Sequence, residues 1–196
     1  MQTEITTAEP LTPLTEAGPY RVEQYFDLSD DERYELIYGR LYVAPSPNIR
    51  HQTVTLLLGE IFLGLVRKTG ARVYVAPTDV VLSDNSVVQP DVVYISRERR
   101  SIIQQHIAGT PDLVVEVLSP GTARRDRSEK LRLYAESGVR EYWIVDPMSE
   151  HIEFLINEGG VFKVTLAEND RYASTVFSEV QIDLAVFWQE VTLFQE

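Results

Sequence analysis

The chain mixes short segments that carry the two-residue apolar period of β-strands with longer segments that carry the helical period. Alternation on both sides of Gly39 predicts a β-hairpin over Glu32–Pro45. A long helix is predicted next, with Ser46 as its N-cap, Pro47 at its first position and Gly70 at its end. Its middle is apolar nearly all round, which indicates a well-buried helix.

The rest of the chain is predicted to add several strands and one more helix. Residues 111–118, PDLVVEVL, form a nearly continuous apolar run, which is typical of a central strand covered on both faces. The other predicted elements are strands at 71–76, 78–83, 87–95 (interrupted at Pro90) and 140–146, a partly helical segment at 96–109, a helix at 123–137 ended by Gly138, a hairpin of strands 150–156 and 161–166, and a short amphipathic turn at 183–188.

This order of elements predicts an α/β (α+β) fold, in which helices flank a mixed β-sheet and hairpins lie near both ends. The chain has 196 residues, which is typical of one domain. We therefore predict a loose N-terminal arm over 1–18 and a single domain over 19–196. The glycine-rich fingerprints of dinucleotide- and nucleotide-binding loops do not occur in the sequence.

Composition excludes several classes of protein. The sequence has no cysteine, which excludes disulfide scaffolds and thiol catalysis. A formal net charge of -12 argues against a protein that binds nucleic acid over its whole surface. Local basic patches remain compatible with this net charge. The acidic, Thr- and Pro-rich start does not resemble a signal peptide, and no run of 18 apolar residues predicts a membrane span. We expect a cytoplasmic protein without a membrane partner.

Three charged residues contradict their local pattern. Glu116 interrupts an apolar strand, and its other interpretation is a solvated or salt-bridged side chain near the strand end. Asp91 follows Pro90 and could simply cap a turn at a strand entrance. At 100° per residue, Lys130 lies within the apolar stripe of its helix, where a lysine either snorkels to solvent or meets a carboxylate.

Taken together, these three residues indicate one kind of chemistry. Two carboxylates at neighbouring strand ends can bind Mg²⁺, which prefers oxygen ligands. A nearby lysine can stabilise the negative charge that develops on a phosphate. The combination favours metal-assisted hydrolysis of phosphodiesters, provided that the three groups meet in the fold.

The same residues carry a resemblance to a known family. Three segments, YELIYGRLYVAPSPNIRHQ, QPDVVYIS and DLVVEVLSPGTARRDRSEKLRLYAESGVREYWIVDP, are similar to the PD-(D/E)xK nuclease superfamily, and more narrowly to its "putative restriction endonuclease" family known as Uma-two. The resemblance covers about residues 20 to 190. It implies a restriction-endonuclease-like fold and an endonuclease that cleaves DNA with Mg²⁺ or Mn²⁺.

The resemblance also implies roles for individual residues. Asp91 and Glu116 match the metal-binding acids of the motif, and Glu35 resembles a third, supporting metal ligand found upstream in many such nucleases. The usual motif lysine would fall at Leu118, so this chain departs from the pattern there. The resemblance implies that the catalytic lysine has migrated to the following helix, as Lys130.

Several supporting residues are predicted with two interpretations each. His51 matches a recurring family position, and a core or capping histidine is its other interpretation. Asp126, four residues before Lys130, could orient that lysine or simply lie at the positive end of its helix. The basic residues Arg124, Arg125 and Arg127 could contact DNA phosphates or form a solvated face.

Two other functions remain open at this stage. The displaced lysine and the net charge of -12 are compatible with a catalytically inactive nuclease-fold module that binds nucleic acid or protein. A different hydrolase could use the same carboxylates, although no sugar- or nucleotide-specific motif supports it. Since many enzymes that cut both DNA strands are dimers, the apolar residues near the C-terminus could form a homodimer contact, or pack onto the chain's own sheet. These residues are Val186, Phe187, Trp188 and Leu193.

Overall fold

Two mixed β-sheets with helices packed against them form the fold. The computed structural model of the protein describes residues 18–29 and 32–194. The helices are α1 (Val22–Phe26), α2 (Ile49–Thr69), α3 (Ala123–Asp126), α4 (Glu129–Ser137) and α5 (Leu184–Leu193), with a 3-10 helix at Arg97–Ile102. The strands are β1 (Tyr34–Ile37), β2 (Arg40–Val43), β3 (Arg72–Val75), β4 (Val80–Ser83), β5 (Ser86–Val88), β6 (Val92–Ile95), β7 (Ile107–Ala108), β8 (Leu113–Val117), β9 (Glu141–Asp146), β10 (His151–Asn157), β11 (Phe162–Thr165), β12 (Arg171–Ala173) and β13 (Gln181–Asp183).

The larger sheet has six strands in the order β11-β10-β9-β8-β6-β3. Strand β8 is parallel to β9 and antiparallel to β6, and all five of its residues are buried. Val115 and Val117 belong to a core cluster with residues of α2 and α5, whereas Val114 belongs to a second cluster with Leu133 and Tyr134 of α4. The predicted central strand covered on both faces is therefore confirmed.

The second sheet has five strands in the order β2-β1-β5-β4-β7 and includes the predicted N-terminal hairpin, β1–β2. The prediction of one interrupted strand over 87–95 is wrong, because β5 lies in the smaller sheet and β6 in the larger one. Pro90 lacks the N–H that a continuous ladder would need, so the chain crosses between the sheets there. Asp91 is consequently located where the two sheets meet.

Helix α2 begins two residues later than predicted. Its N-cap is Asn48 rather than Ser46, and the Asn48 side chain accepts the backbone N–H of His51 at 2.9 Å. Gly70 ends the helix in the left-handed conformation, as predicted. By length and composition alone, α2 could span a membrane, a property that it shares with the core helices of globular proteins; here Leu58 and Phe62 are fully buried in the core.

The helix predicted over 123–137 is broken into α3 and α4. Ser128 lies at the break, outside the helical region of backbone angles, and its hydroxyl donates to the Arg124 carbonyl at 2.7 Å. This local hydrogen bond competes with the regular helical ones, which explains the interruption. Lys130 therefore lies in the first turn of a new helix, and that helix ends at Gly138 as predicted.

The C-terminal part contains the predicted hairpin, β10–β11, followed by elements that the sequence pattern did not predict. Strands β12 and β13 form a small second hairpin, and the turn predicted at 183–188 is the start of the ten-residue helix α5. Phe187 and Trp188 are buried in the chain's own core, whereas Val186 and Leu193 are exposed. The arm predicted over 1–18 lies, apart from Gly18, outside the described residues.

Candidate active site

A cleft lies at the junction of the two sheets, with a cavity volume of about 60 Å³. That space exceeds the roughly 10–15 Å³ needed by one water molecule, so it can hold a hydrated ion or a phosphate oxygen with water. Several separate elements and connections contribute its polar lining. The lining residues include Glu35 of β1, His51 of α2, Gln89 and Asp91 of the β5–β6 connection, Glu116 of β8 and Lys130 of α4.

Asp91 and Glu116 lie side by side at the ends of neighbouring strands. Val92 pairs with Val115 in the antiparallel register of β6 and β8, so Asp91, one residue earlier, lies opposite Glu116. Opposed residues of an antiparallel pair share one face and have Cβ atoms roughly 5 Å apart. The backbone N–H of Val117 also donates to Asp91 Oδ2 at 2.7 Å, which holds the aspartate against the central strand.

Lys130 lies at the centre of the acidic residues. Its Nζ is 2.7 Å from Glu35 Oε1, 2.8 Å from Glu116 Oε1 and 3.6 Å from Asp126 Oδ1. The residue is only 3% exposed, which excludes the alternative that Lys130 snorkels to solvent. The structure thus brings together two predicted motif residues, Glu116 and Lys130, and both supporting acids.

The pKa values of this cluster follow from burial and from its shared cation. Burial alone would lower the pKa of Lys130, but the carboxylates of Glu116, Glu35 and Asp126 outweigh it and raise that pKa, so the ammonium stays charged. Burial raises the pKa of Glu116 well above its usual range, with neighbouring acids adding to the effect and Lys130 opposing it. Burial likewise raises the pKa of Asp126 to about 6.

Glu35 behaves differently from the other two acids. Burial alone would raise its pKa, but the Lys130 charge and the hydrogen bond from the Gln89 backbone, 2.9 Å long, together lower it. Arg125 Nη1 adds a second positive charge at 3.8 Å from Glu35 Oε2. Both oxygens of Glu35 therefore face protein cations, an environment that differs from the supporting metal ligand expected from the sequence.

The donor set at Asp91 and Glu116 suits a divalent cation. The contacts described for each carboxylate fall on one oxygen: Asp91 Oδ2 meets Val117 and His51, and Glu116 Oε1 meets Lys130 and the Tyr134 hydroxyl at 2.6 Å. The second oxygens, Asp91 Oδ1 and Glu116 Oε2, are the kind of ligand atom that Mg²⁺ and Mn²⁺ prefer. Within residues 18–29 and 32–194, no three acidic or histidine side chains form a complete cation cage, so water or phosphate oxygens would complete the coordination.

The predicted arginines occupy different environments. Arg125 lies over the Tyr42 ring at 4.1 Å, and its Nη1 is buried with no hydrogen-bond partner among the described residues. Arg127 pairs with Glu153, and Arg124 is exposed on α3. Arg125 is therefore the arginine that faces the acidic cluster with an unused donor.

Sequence reasoning missed two contributors to the site. Tyr134 lies one helical turn after Lys130, and that spacing could have placed both on the inward face of α4. Gln89 binds Glu35 through its backbone, for which a sequence pattern carries no signal. A third predicted supporting residue, His51, contacts Asp91 with its Nε2 3.2 Å from Oδ2.

Comparison with known proteins adds three likenesses. The family model of Uma2 (Uma-two), described as "Putative restriction endonuclease", matches residues 22–185. The "Uncharacterized protein slr1290" of Synechocystis sp. is 27% identical over 150 residues, which are 74% of this chain and 76% of that protein. A crystal structure of "a putative nuclease belonging to DUF820" from Anabaena variabilis superimposes with a TM-score of 0.73 at 18% identity, over 88% of this chain and 99% of that one. The structural likeness confirms the predicted fold, and together the comparisons support a nuclease function.

Proposed function

Since the chain belongs to the Uma2 family of "putative restriction endonuclease" proteins, we propose that it is a divalent-metal-dependent endonuclease that hydrolyses phosphodiester bonds in DNA. One observation carries the proposal. Asp91 and Glu116 lie opposite one another at a cleft, and a buried lysine contacts Glu116 although the usual motif position holds Leu118. These are the groups that metal-assisted phosphodiester hydrolysis needs.

In this proposal Asp91 and Glu116 hold Mg²⁺ or Mn²⁺. A bound ion of this kind polarises the phosphate and lowers the pKa of a coordinated water. The protein contributes two carboxylates, and one oxygen of each is held by a hydrogen bond from the Val117 backbone or the Tyr134 hydroxyl, which leaves the other oxygen available to the ion. Preorganised ligands avoid the free-energy cost of arranging them during the reaction.

Lys130 supplies the positive charge that offsets the developing charge on the phosphate. Two of its three N–H donors are taken by Glu35 and Glu116, whereas Asp126 Oδ1 at 3.6 Å is too distant for a hydrogen bond. One donor is thus left for a phosphate oxygen or the attacking water. Glu35, held by three positive or N–H groups, is proposed to anchor Lys130 rather than to bind the cation.

DNA binding is proposed to be local, because the net charge of -12 repels a polyanion over most of the surface. Arg125 is the proposed phosphate contact, since its guanidinium is oriented by stacking on Tyr42 and its side chain is 18% exposed. Arg124 and Arg127 lie on the same short segment and would extend the contact along the backbone.

A catalytically inactive binding module is the second candidate. The ion pairs of Lys130 with Glu35 and Glu116 favour it, because they neutralise the acids without any metal. One experiment distinguishes the two candidates, because only the endonuclease should convert supercoiled plasmid to nicked or linear DNA in Mg²⁺ or Mn²⁺.

We expect metal-dependent nicking by the wild type, no nicking after chelation by EDTA, and a rate at least about 10²-fold lower in Asp91→Asn. Asp84→Asn is the matched control, because Asp84 is an exposed acid in the β4–β5 turn and outside the cleft. Absence of nicking by the wild type with either ion, or equal rates in wild type and Asp91→Asn, would contradict the proposal.

A further inference from the structure

We propose that His51 is a positioning residue that fixes the orientation of the Asp91 carboxylate, an inference that rests on the metal-binding role proposed above for Asp91. His51 Nε2 lies 3.2 Å from Asp91 Oδ2. Both side chains are largely buried, with exposed fractions of 9% and 14%. A contact of this length in a shielded place restricts the carboxylate far more than an exposed one would.

The imidazole is itself held in place. Its residue lies in the first turn of α2, where the backbone N–H of His51 is bound by the N-cap Asn48. The Thr55 hydroxyl, one turn later on the same helix, is 3.5 Å from Nδ1. A carboxylate only accepts hydrogen bonds, so in the proposed role Nε2 carries the hydrogen that faces Asp91.

Asp91 Oδ2 thus has two nitrogen neighbours from different elements, the Val117 backbone N–H, which donates a hydrogen bond, and the His51 ring. The second contact further restricts rotation of the carboxylate about its Cβ–Cγ bond and so helps to define its plane. The plane determines where the other oxygen, Oδ1, lies relative to Glu116. Groups that orient a metal ligand in this way typically change metal affinity or activity by 10- to 100-fold when they are removed.

The proposed role differs from that of a direct metal ligand. A histidine binds a metal through an unprotonated ring nitrogen, whereas in the proposed role Nε2 carries the hydrogen that faces Asp91. The test is therefore whether an N–H donor at this position is enough or whether the imidazole itself is required. His51→Gln keeps a donor at a similar distance from the backbone, and His51→Leu fills the same space without one.

Isothermal titration of Mn²⁺ into the full-length protein tests the inference without reference to DNA cleavage. We expect His51→Leu to bind Mn²⁺ about 10- to 100-fold more weakly than the wild type, and His51→Gln to recover most of that loss. Leu56→Ala is the matched control on the exposed face of the same helix, where the side chain is 61% exposed, and it should bind Mn²⁺ like the wild type. Thermal unfolding of each variant shows whether it is folded.

If folded His51→Leu binds Mn²⁺ with an affinity within twofold of the wild type, the inference is overturned. The proposed endonuclease function is not affected by that result. Equal losses in His51→Gln and His51→Leu would also overturn it, since the imidazole itself would then be required. Mn²⁺ binding by the wild type without any cleavage of DNA would contradict the proposed function alone. A wild type that does not bind Mn²⁺ would overturn both.

Discussion

Lys130 Nζ lies 2.8 Å from Glu116 Oε1, and this contact ties the first turn of α4 to the central strand β8. Burial of a charge is costly unless an opposite charge and hydrogen bonds compensate it. Here one ammonium compensates acids from three elements, because Glu35 of β1 and Asp126 of α3 also face it. The catalytic lysine of the proposed site is consequently also part of what holds the two sheets together.

Lys130→Met should lower the free energy of unfolding by about 3–5 kcal/mol, because it leaves buried carboxylates without their cation. Glu35→Gln removes one of those charges, so the double variant Glu35→Gln/Lys130→Met should lose less than the sum of the two single losses. Urea denaturation at neutral pH measures all four proteins. Additive losses would show that Lys130 and Glu35 are not coupled in the folded state.

Glu141, which lies outside the cleft, should make the stability of the fold depend on pH. It is fully buried and accepts hydrogen bonds from Trp143, Tyr172 and Ser174, yet burial outweighs these donors and raises its pKa. Between the pKa of an unfolded glutamate, about 4.3, and the raised pKa in the fold, the native state binds more protons than the unfolded state. The contribution of Glu141 to stability is thus complete at low pH and is lost as the pH rises through that interval.

Glu141→Gln removes this titration while keeping an amide that can meet the same three partners. The unfolding free energy of Glu141→Gln relative to the wild type should therefore increase as the pH rises above about 4.3 and then level off. Urea denaturation at several pH values from 4 to 8 measures the difference. A relative gain by the wild type with rising pH would mean that the pKa of Glu141 is lowered by the fold.

Alanine substitutions at two glycines should change the stability of the fold in opposite directions. Gly138 has a φ of 81° at the end of α4, and a Cβ there would meet nothing within 4 Å, so Gly138→Ala should cost roughly 1–2 kcal/mol from backbone strain alone. Gly64 lies within α2, also with open space around a Cβ, so Gly64→Ala should stabilise by about 0.5–1 kcal/mol. Thermal unfolding of both variants checks the pair, and shifts of the same sign would contradict it.

Arg125→Ala should weaken DNA binding and reduce the slope of log affinity against log salt concentration by about one, as expected for the loss of one phosphate contact. Arg67→Ala is the control, since it removes the same charge from an exposed position in the last turn of α2. Fluorescence anisotropy with a labelled duplex, in Ca²⁺ or without metal, measures both. Equal effects of the two variants would show that Arg125 acts only through net charge.

The sequence pattern predicted most elements, because strands and helices leave local periods in the chain. The inward position of Lys130 followed from its place between Leu133 and Tyr134 on one helical face, and the buried strand around Glu116 from its continuous apolar residues. Where the chain changes sheets, the apolar pattern resumes on the far side of Pro90. For that reason the pattern predicted one strand over residues 87–95, although these residues belong to two strands in different sheets.

The partners of each side chain were harder to predict than its position. Glu35 and Lys130 are 95 positions apart, and their contact depends on how the smaller sheet is placed beside α4. The same holds for His51 and Asp91, which come from α2 and the connection between the sheets. Motif resemblance indicated which residues to compare, but a third metal ligand and a lysine anchor are equally compatible with an acidic residue at position 35. Only the positions of Lys130, Gln89 and Arg125 around it favour the anchor.

The rate of DNA cleavage by Lys130→Met under single-turnover conditions, at saturating Mn²⁺, tests most directly whether Lys130 replaces the lysine that the motif lacks at Leu118. We expect a rate lower by about 10²- to 10³-fold, with Mn²⁺ binding retained or tightened because a nearby positive charge is gone. Glu35→Gln/Lys130→Met, in which one of the buried carboxylates is also removed, should show the same loss of rate. Cleavage by folded Lys130→Met at the wild-type rate would contradict the proposed role of Lys130.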